Sequence, residues 1–133
     1  MDTNVILDVL LARESFMDAA LEIFGKVERS EVEGFLCATT ITTIDYLLTQ
    51  SITKEKSKEA LRHLLKLFEV APVNRSVVEK ALQSKVVDFE NAVLEQAAKL
   101  VSVDVIVTRN GKDFRKSEVS ACDPYEFLSM ANG

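Results

Sequence analysis

Met1-Asp2-Thr3-Asn4-Val5-Ile6-Leu7-Asp8-Val9-Leu10-Leu11 sets an acid, a hydroxyl and an amide directly before a run of apolar residues at helical spacing. From Asn4 to about Ala12 the run is apolar nearly all round, which predicts a short buried helix. A carboxylate at a strand–helix junction can hold a hard cation while the helix behind it anchors the backbone. Such a cation needs further oxygen ligands. The polar residues that follow later strands are where the chain can supply them.

Outward from that stretch, helical and strand patterns alternate. Phe16, Ala19, Ala20, Ile23, Phe24 and Val27 recur at helical spacing, predicting a helix capped by Ser15 and running to about Arg29. Gly34 to Ala38 predicts a short buried strand, and Thr39 or Thr40 then starts a helix through about Gln50. Thr53 caps the next helix, with Lys54, Lys56 and Lys58 outside and Ala60, Leu61, Leu64, Leu65 and Phe68 inside. Glu69 to Val73 predicts a strand, and Ser76-Val77-Val78-Glu79 reads as a capping box for a helix to about Gln83. Asp88 caps a helix to about Val101. Asp104 to Thr108 is a buried strand, Arg109 to Arg115 a polar turn, and Val119 to Cys122 a last strand. Asp123-Pro124 opens a terminal helix, with proline at its first position. Short buried strands alternating with helices predict an α/β fold, a parallel sheet with helices on both faces.

Composition narrows the function. The 133 residues are 47% hydrophobic and carry four Gly and two Pro, which fits one compact domain over residues 1–133 and favours helices over hairpins. The formal net charge of −5 argues against nucleic-acid binding through bulk charge, so any such binding needs a local basic patch or a bridging metal. Cys37 and Cys122 sit in apolar runs and read as reduced core residues. With no Cys/His cluster and a single histidine, His63, a zinc site and a histidine-based nucleophile are both disfavoured. The seven phenylalanines read mostly as core. No apolar run has membrane length and no signal-peptide layout is visible, so a cytoplasmic location is expected.

In parallel sheets ligands gather beyond the carboxyl ends of the strands. Four groups of polar residues fall there or at the helix starts. They are Asp2; Thr39, Thr40, Thr42, Thr43 and Asp45; Asp88 with Asn91; and Thr108, Asn110 and Asp113. Asp88 and Asn91 are three apart and share a helix face. Carboxylate and amide oxygens without Cys or His suit Mg²⁺ or Mn²⁺. Beside them, Arg109-Asn110-Gly111-Lys112-Asp113-Phe114-Arg115-Lys116 concentrates four cations that can hold an RNA backbone. Each acid also has a plainer role: Asp88 as a helix cap, Asp113 as a turn cap, Asp45 on a solvated helix face.

DTNVILDVLL at 2–11, DFENAVLEQAA at 88–98 and DVIVTRNGKDF at 104–114 together resemble a PIN domain, in order and spacing over nearly the whole chain. The resemblance implies a three-layer α/β/α fold with a short central parallel sheet, and metal-dependent ribonuclease activity. It also implies kinship with VapC-type toxins, which a small antitoxin inhibits and which are commonly homodimers. Carried over by position, Asp2, Asn91 and Asp113 would hold Mg²⁺ or Mn²⁺. Asp88, one helical turn from Asn91, would join the catalytic set by partly compensating for the charge Asn91 lacks. Asp45, Thr108 and Asn110 are further candidates, and Arg109, Lys112 and Arg115 would contact RNA. The chain departs from the family at Asn91, usually an aspartate, and at the acid after the second strand, whose place falls to Asp45 or Thr43. The family also has several apolar residues before the first acid, whereas one residue precedes Asp2 here. Either the true start lies further upstream or another strand covers the gap. If the chain truly begins here, an ammonium group at Met1 would compete electrostatically with the metal. Two rival readings remain: a PIN scaffold that binds RNA or a protein partner without cutting, and an unrelated α/β interaction domain.

Overall fold

Alternation along two short strands decides the layers. In strand β1 (Phe35–Cys37), Leu36 joins one apolar cluster and Cys37 the other; in β3 (Val105–Val107), Ile106 and Val107 divide the same way. Successive side chains on a strand point to opposite faces, so each strand feeds two cores. The computed structural model describes residues 1–13 and 16–132. On one face lie α1 (Thr3–Leu10), α2 (Met17–Glu28), α3 (Ala38–Leu48), α4 (Lys54–Leu67) and α7 (Pro124–Asn132), closed over Val5, Ile6, Leu36, Ile44, Leu48 and Val107. On the other lie α5 (Arg75–Gln83) and α6 (Phe89–Leu100), where Val77, Ala81, Val93 and Ala97 meet Cys37 and Ile106. Ala92 to Ala98 of α6 are all buried, as the continuous pattern requires. The expected α/β class with parallel strands and helices on both faces is what forms.

The sheet itself is in two halves. β1 pairs in parallel with β2 (Glu69–Ala71), Leu36 opposite Val70; β3 pairs in parallel with β4 (Ser120–Cys122), Ile106 opposite Ala121. Met1 and Asp2 lie between the halves. The Met1 amine donates to the Phe35 carbonyl at 2.8 Å, and the Asp2 N–H donates to the Val107 carbonyl at 2.9 Å. One bond to each side joins the halves but makes no ladder, because α1 begins at Thr3. Toward the amino ends of β1 and β3 the halves flank a cavity of about 390 Å³ walled by Phe35, Phe68, Val105 and Val107.

Local chemistry matches most of the expected boundaries. Thr53 accepts from the Lys56 N–H and starts α4. Asp123 and Glu126 cap α7 reciprocally, each side chain accepting from the other's N–H, with buried Pro124 at the first position. Other expectations need correction. The cap of α5 is Asn74, whose side chain accepts from the Val77 N–H at 2.9 Å; Ser76 lies inside the helix. Leu65 is exposed, because the buried strip of α4 is centred on Leu64, one residue and about 100° away. Phe89 is exposed rather than core, since α6 turns Ala92 and Val93 inward instead. The proposed Ser15 cap lies outside the described residues. Both cysteines are buried and free, and burial, with Glu126 and Asp123 nearby, pushes the Cys122 thiol up to about 11. His63 is exposed on α4. Among the described residues no helix is long and apolar enough to cross a membrane.

Candidate functional site

Asp2 is fixed from two sides. Its Oδ1 accepts from the Thr3 N–H at 2.7 Å, and its Oδ2 accepts from Thr108 Oγ1 at 2.8 Å. Thr108 is fully buried and also accepts from the Asn110 N–H at 3.1 Å. The start of α1 is thereby clipped to the turn after β3, although the two segments lie 106 residues apart in the chain. That turn continues into the 3₁₀ helix Gly111–Phe114, which carries Lys112 and Asp113 and is anchored by buried Phe114.

The start of α6 faces the same place. Asp88 caps the helix, its Oδ1 accepting from the Asn91 N–H at 3.0 Å. Asp2, Asp88, Asn91, Asn110 and Asp113 all line one cleft of about 240 Å³. The catalytic set expected from the sequence is therefore brought together. Asp88 caps its helix and lines the cleft at once, so the cap and ligand readings are compatible.

Other candidates stand elsewhere. Asp45 accepts from Ser57 Oγ at 2.7 Å, fastening α3 to α4, and does not line the cleft. Thr43, two residues earlier, does line it, because the helical turn carries positions 43 and 47 to the cleft side of α3. Arg109 points back to α1. Its Nη1 lies 3.2 Å from Asp8 Oδ1, and its guanidinium carbon lies 5.6 Å from the centre of the Phe16 ring. Asp8 is buried and also meets Arg13 at 3.1 Å, so Arg109 is committed to a structural ion pair. Lys112 and Arg115 are exposed beside Asp113. Sequence reasoning missed Glu90, which lines the cleft and accepts from Thr43 Oγ1 at 3.1 Å. Its place two residues after a helix cap was visible; its contact with α3 was not.

The cleft is strongly acidic. Asp2, Asp88, Glu90 and Asp113 line it with no lysine or arginine among the lining residues. Burial pushes the Met1 amine down to about 6, against the opposing pull of Asp2 and Cys37. At the cleft wall Thr3, 7% exposed, has a buried hydroxyl without a hydrogen-bond partner among the described residues.

An oxygen-only, anionic donor set with an unsatisfied hydroxyl fits a hard divalent cation. Among the described residues no three acidic, histidine or cysteine side chains stand close enough to grip one bare ion. The fit is to a cation that keeps several waters and takes one or two carboxylates directly, which is how Mg²⁺ is commonly held.

Fold and cleft together define a parallel α/β domain with acids gathered at strand ends and helix starts. The family model for the PIN domain matches residues 1–112, and the chain belongs to the PIN domain family. It is 23% identical over 137 residues to ribonuclease VapC1 of Aquifex aeolicus (strain VF5), a distant relative, covering 99% of this chain and 94% of that one. No solved structure matches the chain significantly.

Proposed function

We propose that the protein is a metal-dependent endoribonuclease that cuts single-stranded RNA, and that it is the toxin of a toxin–antitoxin pair. The observation that carries this reading is the cleft in which Asp2, Asp88, Asn91 and Asp113 meet with no cationic side chain to balance them. The ribonuclease name of the distant relative supports RNA as substrate. A small antitoxin partner and a homodimer belong to the same proposal, on the resemblance of the chain to VapC-type toxins.

Asp2, Asn91 and Asp113 would hold Mg²⁺ or Mn²⁺. Such an ion, when bound, neutralises phosphate charge and makes a water acidic enough to attack at neutral pH. Asp2 brings a carboxylate whose orientation is set before binding, because Thr3 and Thr108 hold both its oxygens. Asn91 brings a neutral oxygen and so less charge than a carboxylate would. Asp88 keeps the α6 N-terminus in register and adds charge to the cleft. Lys112 and Arg115 steady the RNA backbone from the exposed turn beside Asp113. Arg109 serves by holding that turn against α1 rather than by touching phosphate. An acidic cleft repels a phosphodiester, so RNA enters productively only when the cation is present.

The test is cleavage of single-stranded RNA with Mn²⁺ or Mg²⁺, with EDTA, and with Asp2→Asn. The expected outcome is divalent-dependent cleavage that EDTA stops and Asp2→Asn abolishes. EDTA-sensitive cleavage retained by Asp2→Asn would sink the site assignment. A second reading, favoured by Asn91 standing where a carboxylate would bind a cation more tightly, is a PIN scaffold that binds RNA or a protein partner without cutting. Mn²⁺ binding with no cleavage of any RNA tested selects it.

A further inference from the structure

The cleft holds more negative charge than Asp2, Asp88 and Asp113 account for. Glu90 stands in the first turn of α6 and lines the cleft. Its Oε1 accepts from Thr43 Oγ1 at 3.1 Å, a contact from α6 across to α3. The Thr43 hydroxyl lies equally close, 3.1 Å, to the Thr39 carbonyl of its own helix, so its single proton is shared between the two acceptors.

Among the described residues, three other surface glutamates sit beside cations, whereas Glu22, Glu28, Glu55, Glu59, Glu69 and Glu126 do not. Glu31 meets Arg29, Glu79 meets Arg75 and Glu118 meets Lys99. Among the described residues Glu90 has no such partner, and its neighbours in the cleft are three more carboxylates. Like charges confined together are unfavourable unless a cation joins them. The buried, unsatisfied hydroxyl of Thr3 at the same cleft points independently to a species that brings hydrogen-bonding groups there.

We infer that Glu90 is a positioning residue of the cation site: held by Thr43, its carboxylate accepts hydrogen bonds from the waters of a hydrated divalent cation in the cleft. The inference rests on the reading of this cleft as a cation site. Mg²⁺ and Mn²⁺ sites with few direct carboxylates leave coordinated waters whose protons need acceptors. An anionic acceptor at that place orders those waters and adds charge that Asn91 does not supply.

Calorimetric titration of the full chain with MnCl₂ tests it. Glu90→Gln keeps the shape and removes the charge, and is expected to weaken Mn²⁺ binding by about tenfold. Thr43→Ala, which frees the glutamate without removing it, is expected to weaken binding less. Thr43→Glu combined with Glu90→Ala moves the carboxylate to the other side of the same contact, and is expected to regain most of the lost affinity. A purely structural role for Glu90 predicts no such recovery, and its absence overturns the inference. If Glu90→Gln binds Mn²⁺ as tightly as the unmodified protein while Asp2→Asn loses binding, the inference falls and the cation site stands. If neither substitution changes binding, or the unmodified protein binds no Mn²⁺, the cation site falls and the inference with it.

Discussion

Glu95 shows how a single residue organises the region behind the cleft. It is 1% exposed, yet its carboxylate accepts from Ser84 Oγ at 2.5 Å, from Gln96 Nε2 at 2.9 Å and from the Glu118 N–H at 2.8 Å. Burial alone pushes its pKa upward, but the hydrogen bonds from Ser84, the Glu118 backbone and Gln96 outweigh it and hold the carboxyl below its ordinary value. A depressed folded-state pKa contributes stability that is complete above the ordinary carboxylate range and is lost as pH falls through the folded-state value. Glu95→Gln is therefore expected to cost about 2 kcal/mol near neutral pH, the worth of its charge-assisted bonds. Its melting temperature should also fall less than that of the unmodified protein between neutral and acid pH. Equal melting temperatures at neutral pH in a pH-series of thermal melts would contradict this role. At this scale the sequence is a partial guide. Asp2, Asp88 and Asp113 were legible because each begins a helix or follows a strand, and Asn91 by its place in the PIN-like block at 88–98. Glu95 and Glu90 were not, since their meaning lies in partners on other elements, Glu118 and Thr43.

At the scale of elements, the strand–helix pattern was legible and several ends were not. α1, α2 and α6 are followed by left-handed residues that are not glycine: Ala12 at φ 51°, Ser30 at φ 60° and Ser102 at φ 59°. Without the usual glycine stop signal, the expected ends ran long by a residue or two. Glycine matters at Gly34, for room rather than for backbone angle. A Cβ there would stand 2.6 Å from Phe68 Cδ1, 2.7 Å from Phe68 Cε1 and 3.0 Å from a Val27 methyl. Phe68 is buried and its ring meets Phe24 edge-on, with centres 5.3 Å apart, so it has little freedom to yield. Gly34→Ala is expected to destabilise by about 1–3 kcal/mol, read as a lower urea midpoint with an unchanged slope. An unchanged midpoint would show that the junction of β1 and α4 is looser than its packing implies.

For the whole molecule, the acidic total and the nuclease reading are reconciled by where the charges lie. The four carboxylates of the cleft come from α1, α6 and the turn after β3, gathered by a sheet whose halves meet at Met1 and Asp2. The parallel α/β class followed from periodicity, but the division of the sheet did not. It depends on backbone bonds from Met1 to Phe35 and from Asp2 to Val107, which leave no trace in local sequence. The most direct measurement of the central claim is anomalous scattering from a crystal soaked in MnCl₂. The account predicts one peak in the cleft, at coordination distance from an Asp2 oxygen, about 2–2.6 Å, and absent from Asp2→Asn crystals. A peak that persists in Asp2→Asn, or manganese bound elsewhere with the cleft empty, would contradict it.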